Sequence, residues 1–164
     1  MFSWKNFAIA GVFMGCSHAL WAEQAPVVLR DNVLTIPGAV VVEGDTVSHY
    51  RNIELTQDAA GRFTIAAVED GSLANIESVE IQQEAGSVEV LAKGYRSACV
   101  SILPEAVSYQ DGKFVIAIPE SKPTSEVCIL AVVMFEVATT LDTDDLPAGE
   151  YTLVVNNVKK DFTL

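Results

Sequence analysis

From residue 23 onward the chain alternates apolar and polar positions, with β-branched residues throughout and turn residues every 8 to 15 positions. No window sustains the 3.6-residue repeat of an amphipathic helix, so the pattern predicts strands. Val27-Val28-Leu29 precedes an Asp31-Asn32 turn, and residues 33–42 follow, interrupted by Pro37-Gly38. A proline removes a ladder N–H, so this segment is expected at a sheet edge or with a bulge. Glu43-Gly44-Asp45 turns the chain into 46–56, where Tyr50, Ile53 and Leu55 are apolar positions. A Gly-ended loop over 57–61 then returns it through 62–68. The result is a β-meander over 23–70.

The polar, acidic stretch 69–75 marks a boundary. Beyond it, strands are predicted at 76–82, 87–91, 98–102, 113–118, 127–137, 151–155 and 158–164. Seven short strands in about 90 residues fit an immunoglobulin-like sandwich. Asp111-Gly112 and Asn156-Asn157 suit tight hairpins. Tyr151, just after Pro147-Ala148-Gly149-Glu150, is placed for a corner bond to upstream backbone. The fold class is therefore all-β: an N-terminal β-meander plus a seven-stranded immunoglobulin-like β-sandwich over 76–164, with one disulfide. The meander, at about 45 residues, is below the size at which most domains stand alone. It is expected to pack on the sandwich or on a partner.

Residues 127–137 are continuously apolar. Such a run predicts a central strand buried on both faces, with a partner interface as the alternative. Ile36, Ile53, Leu55, Phe63 and Ile65 of the meander are expected to cover or extend that strand's sheet.

Residues 1–22 carry Lys5, an apolar run from Phe7 to Cys16, and a small residue, Ala22, before Glu23-Gln24. This is the pattern of a secretory signal peptide. The run is about ten residues, against the ~20 that a spanning helix needs. The alternatives are a lipoprotein leader with Cys16 as the lipidated residue, preceded by Phe13-Met14-Gly15, and an uncleaved anchor. Removing 22 of 164 residues leaves 142, and loss of Lys5 takes the net charge from -12 to -13. The mature chain then has no transmembrane segment, no Trp and one His, His49.

Two Cys remain, Cys99 and Cys128. In an oxidising compartment an isolated pair predicts one disulfide. A metal pair is less fitting, because no His or third Cys stands near. The acidic charge argues against nucleic acid and against anionic membrane surfaces.

The sequence offers little chemistry. His49, in Ser48-His49-Tyr50, has no Gly-x-Ser-x-Gly elbow to serve and is expected at the surface. The Cys spacing is not Cys-x-x-Cys, and no phosphate-cradling Gly loop is present. No cofactor is implied, and an enzyme is not expected. Asp142-Thr143-Asp144-Asp145 sets carboxylates close together. Asp142, Asp144 and Asp145 are candidate ligands for calcium, against the plainer reading as a solvated turn. Tyr50, Tyr95 and Tyr109 are too scattered for a glycan platform.

Two resemblances stand beside this reading. Val33-Leu34-Thr35-Ile36-Pro37, Val40-Val41-Val42, Tyr50-Arg51-Asn52-Ile53-Glu54-Leu55 and Gly61-Arg62-Phe63 resemble a short motif of secreted bacterial proteins. That resemblance implies a location, not an activity. Residues Leu146-Pro147-Ala148-Gly149-Glu150-Tyr151-Thr152-Leu153-Val154-Val155-Asn156-Asn157 and Phe162-Thr163-Leu164 are similar to the closing hairpin of bacterial immunoglobulin-like or fibronectin-like modules. There Gly usually stands where this chain has Asn157. The likeness implies fold alone.

The expectation that follows is a non-enzymatic, acidic, secreted or periplasmic protein, or an outer-membrane lipoprotein. It would bind or scaffold another extracytoplasmic protein. The alternative is a periplasmic inhibitor of a basic hydrolase such as lysozyme, because strong negative charge steers toward a cationic enzyme.

Overall fold

The computed structural model describes residues 26–84, 87–124, 127–128 and 131–164. The leader at 1–22, with Cys16, lies outside them. Among the described residues there are thirteen strands and no helix.

Strands β1 (Val28–Arg30), β2 (Val33–Glu43), β3 (Thr46–Gln57) and β4 (Phe63–Asp70) form one antiparallel sheet in chain order. The β1–β2 turn places Asp31 at φ 49° and Asn32 at φ 63°. Two positive φ values let a two-residue turn follow the strand twist. In the β3–β4 loop, Asp58 Oδ1 accepts the N–H groups of Ala60 at 2.8 Å and Arg62 at 2.9 Å. Pro37 is tolerated opposite a bulge in β3, where the register shifts between Arg51 and Glu54 and Asn52 has φ 47°.

After Gly71 come β5 (Ser72–Leu73), β6 (Asn75–Glu84), β7 (Ser87–Ser97), β8 (Ala106–Gln110), β9 (Lys113–Ala117) and β10 (Pro119–Glu120). Then follow β11 (Val132–Leu141), β12 (Glu150–Val155) and β13 (Val158–Thr163). They pair as a three-stranded sheet, β11-β7-β6, a four-stranded sheet, β13-β12-β9-β8, and a short β10–β5 ribbon. Among the described residues only β9 and β12 pair in parallel. Parallel neighbours need a long crossover, and here the chain passes through β11 in the other sheet between them.

Alternation decides what the sandwich buries. Val88, Val90 and Ala92 of β7, with Ile76 and Val79 of β6, meet Phe114, Ile116, Leu153, Val155 and Phe162 in one core. Each such side chain is worth roughly 1.5–3 kcal/mol when fully buried. The buried apolar residues all lie from Ala74 onward. Among the described residues the core cluster is therefore the sandwich's. Gly94 is required for close approach: a Cβ there would stand 1.9 Å from the Asn75 carbonyl oxygen and 3.0 Å from Phe135 Cζ.

Several expectations are corrected. Residues 98–102 are no strand: Val100 N–H closes a turn on Ser97 O, and Ile102 makes only an isolated bridge to Glu120. β8 is a strand that the pattern did not predict, and all five of its residues are exposed. The strand expected at 127–137 is Val132–Leu141 instead, with Cys128 in the loop before it. It alternates, leaving Val132 and Met134 more than two-thirds exposed on its outer face. The meander does not cover that face. It reaches the outer face of the four-stranded sheet, where Lys113 and Lys159 meet Asp45 of the β2–β3 turn. Thus Ile36, Ile53, Leu55, Phe63 and Ile65 are not over β11.

Candidate functional site

Register places the meander's apolar residues on one face. Leu29 is opposite Leu34, Leu34 opposite Leu55, and Leu55 opposite Ile65. One alternation away, Ile36 is opposite Ile53, and Gln57 opposite Phe63. Residues two apart along a strand share a face. Leu29, Leu34, Ile36, Ile53, Leu55, Phe63 and Ile65 therefore form a continuous apolar surface. Among the described residues no second layer lies against it: Leu29 is 57 % exposed, Phe63 43 % and Ile65 68 %, and the other four are half-buried. All eight residues of β4 are exposed. A sheet with an apolar face ordinarily buries it against another element.

At its other end the same sheet is joined to the sandwich by polar contacts. Asp45 takes Lys113 Nζ at 2.6 Å on one carboxylate oxygen and Lys159 Nζ at 3.0 Å on the other. Lys113 also donates to Gly44 O at 3.0 Å. These two ammonium groups, Lys113 first, hold the Asp45 carboxyl below its ordinary range. Lys122 pairs with Glu69, and with Asn52 lowers that carboxyl's pKa.

His49 was expected at the surface, but it is 93 % buried, with a relative exposure of 7 %. Its ring fills a slot between two glycines. A Cβ on Gly71 would lie 2.2 Å from Nδ1, and one on Gly38 3.4 Å from Nε2. Nδ1–H donates to Ser72 O at 3.3 Å, since a carbonyl can only accept. The Gly71 N–H donates to His49 O at 2.7 Å. Burial, and then the nearby Arg51 charge, depress the ring's pKa, partly offset by the Ser72 bond. Arg51 Nη2 donates to Asp70 O at 3.0 Å, while its Nε and Nη1 are buried without a partner. No sequence motif marks this joint, because its glycines lie 11 and 22 positions from the ring they accommodate.

The sequence-predicted residues fare differently. Cys99 and Cys128 are disulfide-bonded, with Cα atoms 5.8 Å apart. Neither is in a strand. The bond extends the β7–β11 ladder beyond the Ser97–Val132 pair, stapling two neighbours of one sheet. Asp142, Asp144 and Asp145 are exposed in the β11–β12 loop. Among the described residues no three His, Cys, Asp or Glu side chains are grouped to hold a metal ion. Tyr50, Tyr95 and Tyr109 stand on three different sheets. The Tyr151 corner bond forms, its hydroxyl donating to Pro147 O at 2.7 Å. No helix among the described residues is long and apolar enough to cross a membrane.

These features define a disulfide-stapled β-sandwich protein carrying an additional, open-faced meander. Residues 75–164 match the model of the ORF11 beta-sandwich domain, and the chain belongs to that family. No curated protein and no solved structure matches it.

Proposed function

We propose that the chain is a non-enzymatic protein, exported to the periplasm or medium, that docks another extracytoplasmic protein through the meander face. The observation that carries this reading is the continuous apolar row from Leu29 to Ile65, with no second layer over it among the described residues, on a chain of net charge -12. Burying such a row gives an affinity that salt does not screen, whereas charge alone would give one that it does. An oxidising compartment suits the disulfide, and the leader-like 1–22 suits export. The inhibitor reading rests on net charge only, and the apolar face favours the docking reading over it.

The test is capture of proteins from the native compartment by the wild-type chain and by Phe63→Asp and Ile65→Asp, with Val132→Asp as control. These side chains are exposed, so the fold should tolerate the changes. The reading expects one partner retained at about 1 M salt, lost with both meander variants and kept with Val132→Asp. Capture that high salt abolishes and the meander variants leave intact would overturn it in favour of the inhibitor.

A further inference from the structure

The slot around His49 sits where the meander joins the sandwich. Gly71 is the one residue between β4 and β5, so its backbone carries the chain from one sheet system to the other. The ring of His49 plugs this crossing, bonded to Ser72 O on one side and lying against Gly38 on the other. With the Nδ1 proton given to Ser72, Nε2 is the nitrogen that takes up a second proton.

A charged ring in that slot is poorly served from every side. Arg51, two residues along β3, presents a like charge. On β2 the ring lies against Gly38, and its register partner is the uncharged Val40. Glu69 at the end of β4 is already engaged by Lys122, and Asp70 meets Arg51 through its carbonyl. From β10, Glu120 pairs with Ser72 in register; burial raises its pKa, which the Arg96 charge opposes. Asp45 is held by Lys113 and Lys159. The other ties across the joint include exposed ion pairs, which contribute little, and the Lys113 bond to Gly44 O. Two buried Arg51 donors without partners further weaken the closed arrangement.

We propose that the Gly38–His49–Gly71 slot is an acid-sensitive hinge: a neutral His49 ring locks the meander against the sandwich, and protonation at Nε2 expels the ring and frees the meander to move. The depressed pKa agrees with this geometry. The closed joint binds fewer protons than the open one between the depressed value and the ordinary one. Closure is therefore complete above about pH 6.5 and is lost as pH falls. For a ring that is neutral when closed and ordinary when open, the opening constant rises up to about 30-fold by pH 5. Acid would thus release the orientation of the apolar face without touching the sandwich core.

The experiment follows the His49 ring by NMR on the full chain from pH 8 to pH 5, with the protection factor of the Gly71 amide measured alongside. The hinge predicts a ring titrating below the ordinary value and a Gly71 protection factor falling at least about tenfold with the same midpoint. Core amides such as Leu153 should not change. His49→Asn, which keeps an N–H for Ser72 and cannot titrate, should hold Gly71 protected at pH 5. A Gly71 amide that stays protected while the ring titrates overturns the proposal. So does a His49→Asn variant with the wild-type acid response. If that variant fails to fold, the wild-type comparison of ring and amide midpoints decides.

Discussion

Asn156 Oδ1 accepts the backbone N–H of Ile118 at 2.8 Å, and the same side chain returns Nδ2–H to Ile118 O at 3.2 Å and to Ala74 O at 2.8 Å. Asn156 is 3 % exposed and Ile118 0 %. One turn residue thus satisfies backbone groups where β5 meets β6 and where β9 meets β10. Replacing it leaves the Ile118 N–H and the Ala74 carbonyl without that partner, at about 1–3 kcal/mol each, while Ile118 O keeps the Ala74 N–H at 2.9 Å. Asn156→Ala should therefore cost about 2–5 kcal/mol in denaturant unfolding. Asn156→Gly, which accepts the φ of 49° without strain, should lose nearly as much. A loss confined to the alanine variant would mean that turn conformation, not the bonds, matters.

The Tyr151 corner is a smaller quantity. Its ring packs 5.8 Å from Phe162 and 6.2 Å from Phe114, centroid to centroid, and keeps those neighbours without the hydroxyl. Tyr151→Phe removes only the bond to Pro147 O, which should cost about 1 kcal/mol. For a domain of this size that lowers the melting temperature by about 4–8 °C. An unchanged melting temperature would show that the corner is dispensable.

Much of the sandwich was legible because β7 alternates cleanly and Asn156-Asn157 marks the turn between β12 and β13. The Tyr151 bond was legible for the same reason, being local, four residues back. What escaped the sequence depends on distant partners. His49 looks like a surface residue until Gly71 is brought against it, and Asn156 looks like a plain turn residue until Ala74 and Ile118 surround it. The apolar run at 127–137 misled because its first residues precede the strand, where hydropathy no longer reports pairing. The meander residues Ile36, Ile53, Leu55, Phe63 and Ile65 were expected over the β11 sheet, and they share a face of a separate sheet instead. Alternation gives the face of a strand but not what lies opposite it.

The disulfide closes a sequence separation of 29. In the loop-entropy model, removing it destabilises by about 3–4 kcal/mol. The double variant Cys99→Ser, Cys128→Ser should unfold at correspondingly lower denaturant with β-rich circular dichroism retained. Because the bond only extends the β7–β11 ladder, the core should stay intact. Loss of the sandwich itself would show a larger role than a staple.

Asp45 gives the joint an acid limb separate from that of His49. Its carboxyl is held below the ordinary 3.8 by Lys113 and then Lys159. Its contribution is therefore complete above about pH 4 and is lost as pH falls through the depressed value. NMR titration of the Asp45 side-chain carbonyl should give a midpoint below 3.8, moving upward in Lys113→Met and further when Lys159→Met is added. A midpoint indifferent to both lysines would remove the clasp from the account.

The claim that the meander face is a docking surface is tested most directly by photo-crosslinking within the native compartment. A photoreactive residue is placed at Ile65, 68 % exposed on the meander, or at Val132, 69 % exposed on the sandwich. The two positions are equally open, so exposure alone cannot separate them. The account predicts one defined adduct with another protein from position 65 and none from position 132. Equal labelling from both positions, or no adduct from position 65, would contradict it.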